Sequence, residues 1–101
     1  MRYKEIEKNK EINAYLTKGN ANLGQLGFTD HSQAHCVQVA HQAGKILKRF
    51  GYSEHEIELA KIAGYMHDIG NAINRTHHAE YGALLANELL KDTDMSLEDR
   101  I

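Results

Sequence analysis

At 101 residues, with 12 Lys and Arg against 14 Asp and Glu, the chain has room for one domain with a small core, and its net charge of −2 gives no global pull toward nucleic acid or an anionic membrane. A lone cysteine, Cys36, excludes a disulfide framework and a multi-cysteine zinc site, and no apolar run approaches the roughly 18 residues that a bilayer span needs. The charged start, Met1 to Ile6, does not read as a signal peptide, so a soluble, cytoplasmic protein is the expectation.

Seven histidines and no proline are the compositional oddities, and the missing proline suits a mostly helical chain. Residues 3–18 mix charge with Ile6, Ile12, Tyr15 and Leu16, which predicts one loosely amphipathic helix ending at Gly19. Residues 19–29 carry three glycines and no periodicity, and read as a connecting loop. A phosphate cradle there is disfavoured, because no Gly-Lys-Ser/Thr follows and no strand precedes. Thr29 or Asp30 caps the next helix, which runs to Phe50 before Gly51. Its apolar residues Cys36, Val39, Ala40, Ala43, Leu47 and Phe50, spaced by three and four, make one core face.

Ser53 starts a third helix, with Glu56 completing a capping box. From Ile57 through Leu59, Ile62, Ala63 and Met66 this helix is apolar nearly all round, so it should occupy the middle of the domain and end at about Asp68, where Gly70 releases the chain. Residues 71–76 read as a polar loop. A fourth helix over 77–91 turns Gly82, Leu85, Ala86 and Leu89 inward, with His78 one turn earlier on that stripe. Ser96 to Asp99 reads as a further helix start, so the natural chain is expected to continue. With no strand pattern and no repeat, the fold class is an all-α bundle.

The stretch Ile62–Asn71 sets His67 and Asp68 at the end of an apolar segment. Burying imidazole and carboxylate side by side is costly unless something pairs with them. A divalent cation accepts both, and the partial negative charge at a helix end favours it. Further imidazoles, His31, His35 and His41, lie on the second helix, where His31 and His35 share a face.

Three features in order carry a resemblance: His35-Cys-Val-Gln-Val-Ala40 in one helix, His67-Asp-Ile-Gly70 at the end of the next, and His77-His-Ala-Glu-Tyr-Gly-Ala83 opening the third. Over roughly residues 30–90 the chain resembles the HD-domain (HDIG-type) superfamily of metal-dependent phosphohydrolases. The resemblance implies an HD-like helical bundle, truncated on its C-terminal side, whose metal ligands are a histidine, a His-Asp pair and a distant aspartate. His35, His67 and Asp68 match the first three. The fourth has no match, since Asp92, Asp94 and Asp99 read as solvated helix-end or capping acids.

It also implies a divalent ion, Mn, Fe, Co, Ni or Zn before Mg, and hydrolysis of a phosphate mono- or diester of a nucleotide-like molecule by a metal-activated water. The catalytic candidates are Asp68, His78, as a substrate contact or ligand to a second metal, and Arg75, which would grip phosphate oxygens near a helix N-terminus. His31 is a candidate extra ligand; His41 and His55 read as surface residues. Asn71 stands where some members carry an acid and others a lysine, which leaves proton handling to Asp68 or to a group beyond Ile101. Two other readings stay open: a non-catalytic module that senses nucleotide or metal, and a purely structural helical domain. Uncovered apolar surface would favour a homo-oligomer. His35, near the start of its helix, should meet His67 and Asp68 across an antiparallel helix pair.

Overall fold

The computed structural model describes residues 2–25 and 33–100. The described residues form helices and turns only: α1 (Tyr3–Glu7), α2 (Lys10–Gln25), α3 (Gln33–Arg49), α4 (Glu54–Tyr65), a 3-10 turn (Ile69–Ala72), α5 (His78–Leu90) and α6 (Leu97–Arg100). No described helix is long and apolar enough to cross a membrane.

The single helix expected over residues 3–18 is two. The chain breaks at Lys8 and Asn9, and the Asn9 side chain accepts from the Ile12 amide at 3.0 Å, capping a new helix. α2 then runs through Gly19, where a loop was expected. Packing overrides the weak helix propensity of glycine here, because a Cβ at Gly19 would lie 3.2 Å from the Ala72 nitrogen and 3.3 Å from the Asn71 Cβ. Leu23, one turn on, is fully buried. The expected caps Thr29 and Asp30, and His31, lie outside the described residues.

α3 and α4 form an antiparallel pair, seen in the ordered contacts of Gln33 with Tyr65, Ala40 with Gly64, and Gly44 with Lys61. Gly64 permits the approach, since a Cβ there would lie 3.2 Å from both the Val39 oxygen and the Ala40 Cα. The expected core face of α3 stops short of Phe50, which is 74% exposed. Gly51, at a φ of 80°, turns the chain directly after it.

α4 is central, as its apolar circumference required. Ile62, Tyr65 and Met66 are buried against Tyr3, Ile6, Ile12, Leu16, Cys36, Ala40, Ile69, Leu89, Leu90 and Met95, although Ala63 is exposed. Ser53 caps α4 by accepting from the Glu56 amide at 3.2 Å. The helix ends at Tyr65, three residues before the expected end, and Met66 closes it. His67 and Asp68 therefore sit in a turn, and Ile69–Ala72 coil into a buried 3-10 turn that takes the first two residues of the expected polar loop, leaving 73–76 as the loop.

Candidate metal centre

His35 comes from the first turn of α3, and His67 and Asp68 come from the turn that follows α4. One ligand atom from each lies within 4.8 Å of the other two, the one such convergence of three histidine, cysteine or acidic residues found among the described residues. The two imidazole rings stand 5.5 Å apart between centroids, tilted by 59°. Leaving the helix solves a geometric problem, because consecutive helical side chains diverge by about 100°. In the turn, His67 Nε2 and Asp68 Oδ2 approach to 3.0 Å.

His67 is oriented from behind. Its Nδ1 donates to the Gly64 carbonyl at 2.7 Å, which aims Nε2 at the centre of the cluster. The hydrogen bond to Asp68 raises the His67 pKa, partial burial opposes the rise, and the Gly64 carbonyl adds to it. Asp68 is 8% exposed. Two imidazoles and a nearly buried carboxylate within one ion's reach are a donor set that a divalent transition metal fits.

The rest of the His-Asp-Ile-Gly segment is scaffold. Ile69 is fully buried. At Gly70 a Cβ would run into the His78 carbonyl oxygen and lie 2.6 Å from the Gly82 nitrogen, so the first turn of α5 rests directly on the 3-10 turn. This contact brings His78 to the site. Its Nδ1 bonds the Arg75 carbonyl at 3.1 Å, and its Nε2 lies 3.7 Å from Asp68 Oδ1.

Asn71 differs from what its position suggested. It is 1% exposed and acts as a brace. Its Nδ2 donates to the Asp68 carbonyl at 2.9 Å, its Oδ1 accepts from Arg75 Nη1 at 3.4 Å, and its own carbonyl accepts from Asn22 Nδ2 at 3.0 Å. Arg75 is thus tied to Asp68 through one side chain, beside a cleft of about 300 Å³ that Asn22, Leu23 and Asn74 also line. Another cleft, of about 280 Å³, opens beside His67 and is walled by Leu59, Ala63, Met66, Ala83 and Leu90.

His41 and His55 are exposed, the former edge-on to Tyr3 and the latter paired with Asp99 at 3.0 Å. Sequence reasoning missed Gly64, whose carbonyl accepts from His67, and Asn22, whose side-chain amide donates to the Asn71 carbonyl. No residue pattern announces a backbone acceptor.

The HD-domain family model matches residues 33–101. The chain belongs to the HD-domain family. HD domains bind divalent metals and make up a superfamily of metal-dependent phosphohydrolases. Among relatives, "Uncharacterized protein MJ1020" of Methanocaldococcus jannaschii is 32% identical over 107 residues, which cover 91% of this HD-domain chain and 41% of the relative. Ribonuclease Y of Bacillus pumilus is 40% identical over 73 residues, covering 65% of this chain and 14% of that enzyme. Ribonuclease Y of Staphylococcus epidermidis is 36% identical over 73 residues, again 14% of the enzyme. The chain thus spans well under half the length of these relatives. No solved structure matches it.

Proposed function

We propose that His35, His67 and Asp68 hold a divalent metal ion, and that the site hydrolyses a phosphate ester of a nucleotide-like substrate. The observation that carries this reading is the convergence of three ligand atoms within 4.8 Å, contributed by the first turn of α3 and the turn that follows α4 in an HD domain. A divalent ion at such a site lowers the pKa of water and offsets phosphate charge.

The chain's own groups take the remaining tasks. The Gly64 carbonyl holds the His67 ring so that Nε2 keeps its aim. Asp68 Oδ2 faces His67 while Oδ1 faces His78, so the carboxylate accepts a proton from the attacking water on its His78 side. His78 Nε2, 3.7 Å from Asp68 Oδ1, stands on the route by which that proton passes to the departing oxygen. Arg75, steadied by Asn71, binds a phosphate oxygen. Similarity to two ribonucleases Y favours a phosphodiester over a monoester. A cytoplasmic location fits a nucleotide-like substrate.

The test uses protein loaded with Mn²⁺, Co²⁺, Ni²⁺ or Zn²⁺ and assayed on bis-(p-nitrophenyl) phosphate and p-nitrophenyl phosphate. Asp68→Ala should abolish metal uptake and hydrolysis while leaving the helical circular dichroism intact. Undiminished hydrolysis at matched metal occupancy would refute the reading. Metal uptake with no turnover of either ester would favour the sensing module instead.

A further inference from the structure

Tyr65 is the last residue of α4, the largest fully buried side chain among the described residues, and a polar one. Its ring stacks edge-on against Tyr3 at 5.8 Å, which holds the ring regardless of the hydroxyl. The hydroxyl donates to Asn13 Oδ1 at 2.5 Å and accepts from Gln33 Nε2 at 2.9 Å. Asn13 belongs to α2, and its Nδ2 donates to the Glu7 carbonyl, the last residue of α1, at 2.9 Å. One node therefore joins the ends of α1 and α4 to the starts of α2 and α3.

The placement of that node is specific. Gln33 stands two residues before His35, and Tyr65 stands two residues before His67. We propose that the Tyr65 hydroxyl, bonded to Asn13 and Gln33, is a positioning group that sets the register of α3 along α4 and so the separation of His35 from His67 and Asp68. This inference rests on the metal-site reading above.

The physical reason is that α3 meets α4 through a close backbone contact of Gly64 against Ala40 and Val39 and, farther along, through the flexible stem of Lys61 lying over Gly44. Apolar burial is nearly indifferent to a small slide along such a seam. A metal site is not, because ligand distances must hold to a few tenths of an ångström. Hydrogen bonds are directional, and a buried donor left unpaired is costly, so the node penalises a slide that apolar packing would allow. Phenylalanine would fill the same space and leave the register free. Asn13 also lies outside the residues matched by the family model, so the brace draws on the N-terminal helices of this chain.

The experiment is a titration with Mn²⁺, read by electron paramagnetic resonance, on the wild type, Tyr65→Phe, Asn13→Leu, Asn13→Asp and Ile6→Val. Tyr65→Phe and Asn13→Leu should weaken metal binding about tenfold. Asn13→Asp should restore part of it, because a carboxylate still accepts from the Tyr65 hydroxyl although it no longer donates to the Glu7 carbonyl. Ile6→Val, a cavity in the same core, should lower the melting temperature and leave the metal affinity within twofold of wild type. Affinity of Tyr65→Phe within twofold of wild type, or equal weakening by Ile6→Val, would overturn the proposal. If Tyr65→Phe does not fold, the Asn13 pair decides alone: equal affinities for its leucine and aspartate variants overturn it. A wild type that takes up no Mn²⁺ overturns the metal-site reading itself, and this proposal with it, before any variant is compared.

Discussion

Replacing Gly70 by alanine tests the claim that α5 rests directly on the turn carrying Asp68. The new Cβ would sit 2.6 Å from the Gly82 nitrogen and 2.8 Å from the His78 carbonyl carbon, and closer still to the His78 oxygen, all of them backbone atoms. Ordinary contact begins at 3.4 Å, so the first turn of α5 must move by more than about 0.8 Å. No rotamer change relieves such a clash. The whole helix has to lift, and Leu89 and Leu90 at its far end are part of the core. A cost of about 3 kcal/mol, the top of the usual range for overpacking, is expected. In a domain of this size that lowers the melting temperature by about 12–24 °C. The assay is thermal unfolding followed at 222 nm, with Gly24→Ala as the control, since no atom of the described residues lies within 4 Å of a Cβ at that helical position. A Gly70→Ala protein melting within about 3 °C of wild type would show that α5 does not press on the turn as described.

Gly24→Ala itself should stabilise α2 by about 0.5–1 kcal/mol, measured by urea titration. Asn9→Ala removes the cap that separates α2 from α1 and should cost about 1 kcal/mol on the same titration, whereas no loss would mean the two helices are continuous in solution. Saturation with Zn²⁺ at about 100 times its dissociation constant should stabilise the wild type by about 2.7 kcal/mol and leave Asp68→Ala unshifted in calorimetry. Burial raises the phenol pKa values of Tyr3 and Tyr65, and for Tyr3 the neighbouring Glu7 carboxylate adds to the rise. Their folded values lie above the unfolded value, so the stability they support is fully present below about pH 10 and is lost as pH rises through the folded values. Absorbance at 295 nm should then show these two rings ionising only as helical ellipticity is lost, and all five tyrosines ionising with ellipticity unchanged would contradict their burial.

The three metal-ligand candidates and the helices that carry them were legible because ligand chemistry and helical periodicity are local. An imidazole beside a carboxylate at the end of an apolar run needs no distant partner to be noticed. The Ser53 cap, the reversal at Gly51 and the central place of α4 follow from residue types and spacing alone, since each reflects short-range hydrogen bonding, backbone sterics or amphipathicity. The tertiary structure decided what depends on contacts between segments far apart in sequence. Gly19 stays helical because the 3-10 turn packs onto it some fifty residues later, and Asn71 became a brace because Asn22 and Arg75 surround it. His67 and Asp68 left the helix for a turn, and the glycine two residues on let His78 approach Asp68. Local preference in these segments is weak, a few tenths of a kcal/mol to about 1 kcal/mol per residue. A well-fitted backbone contact or a buried hydrogen bond outweighs it, and only the assembled bundle supplies those.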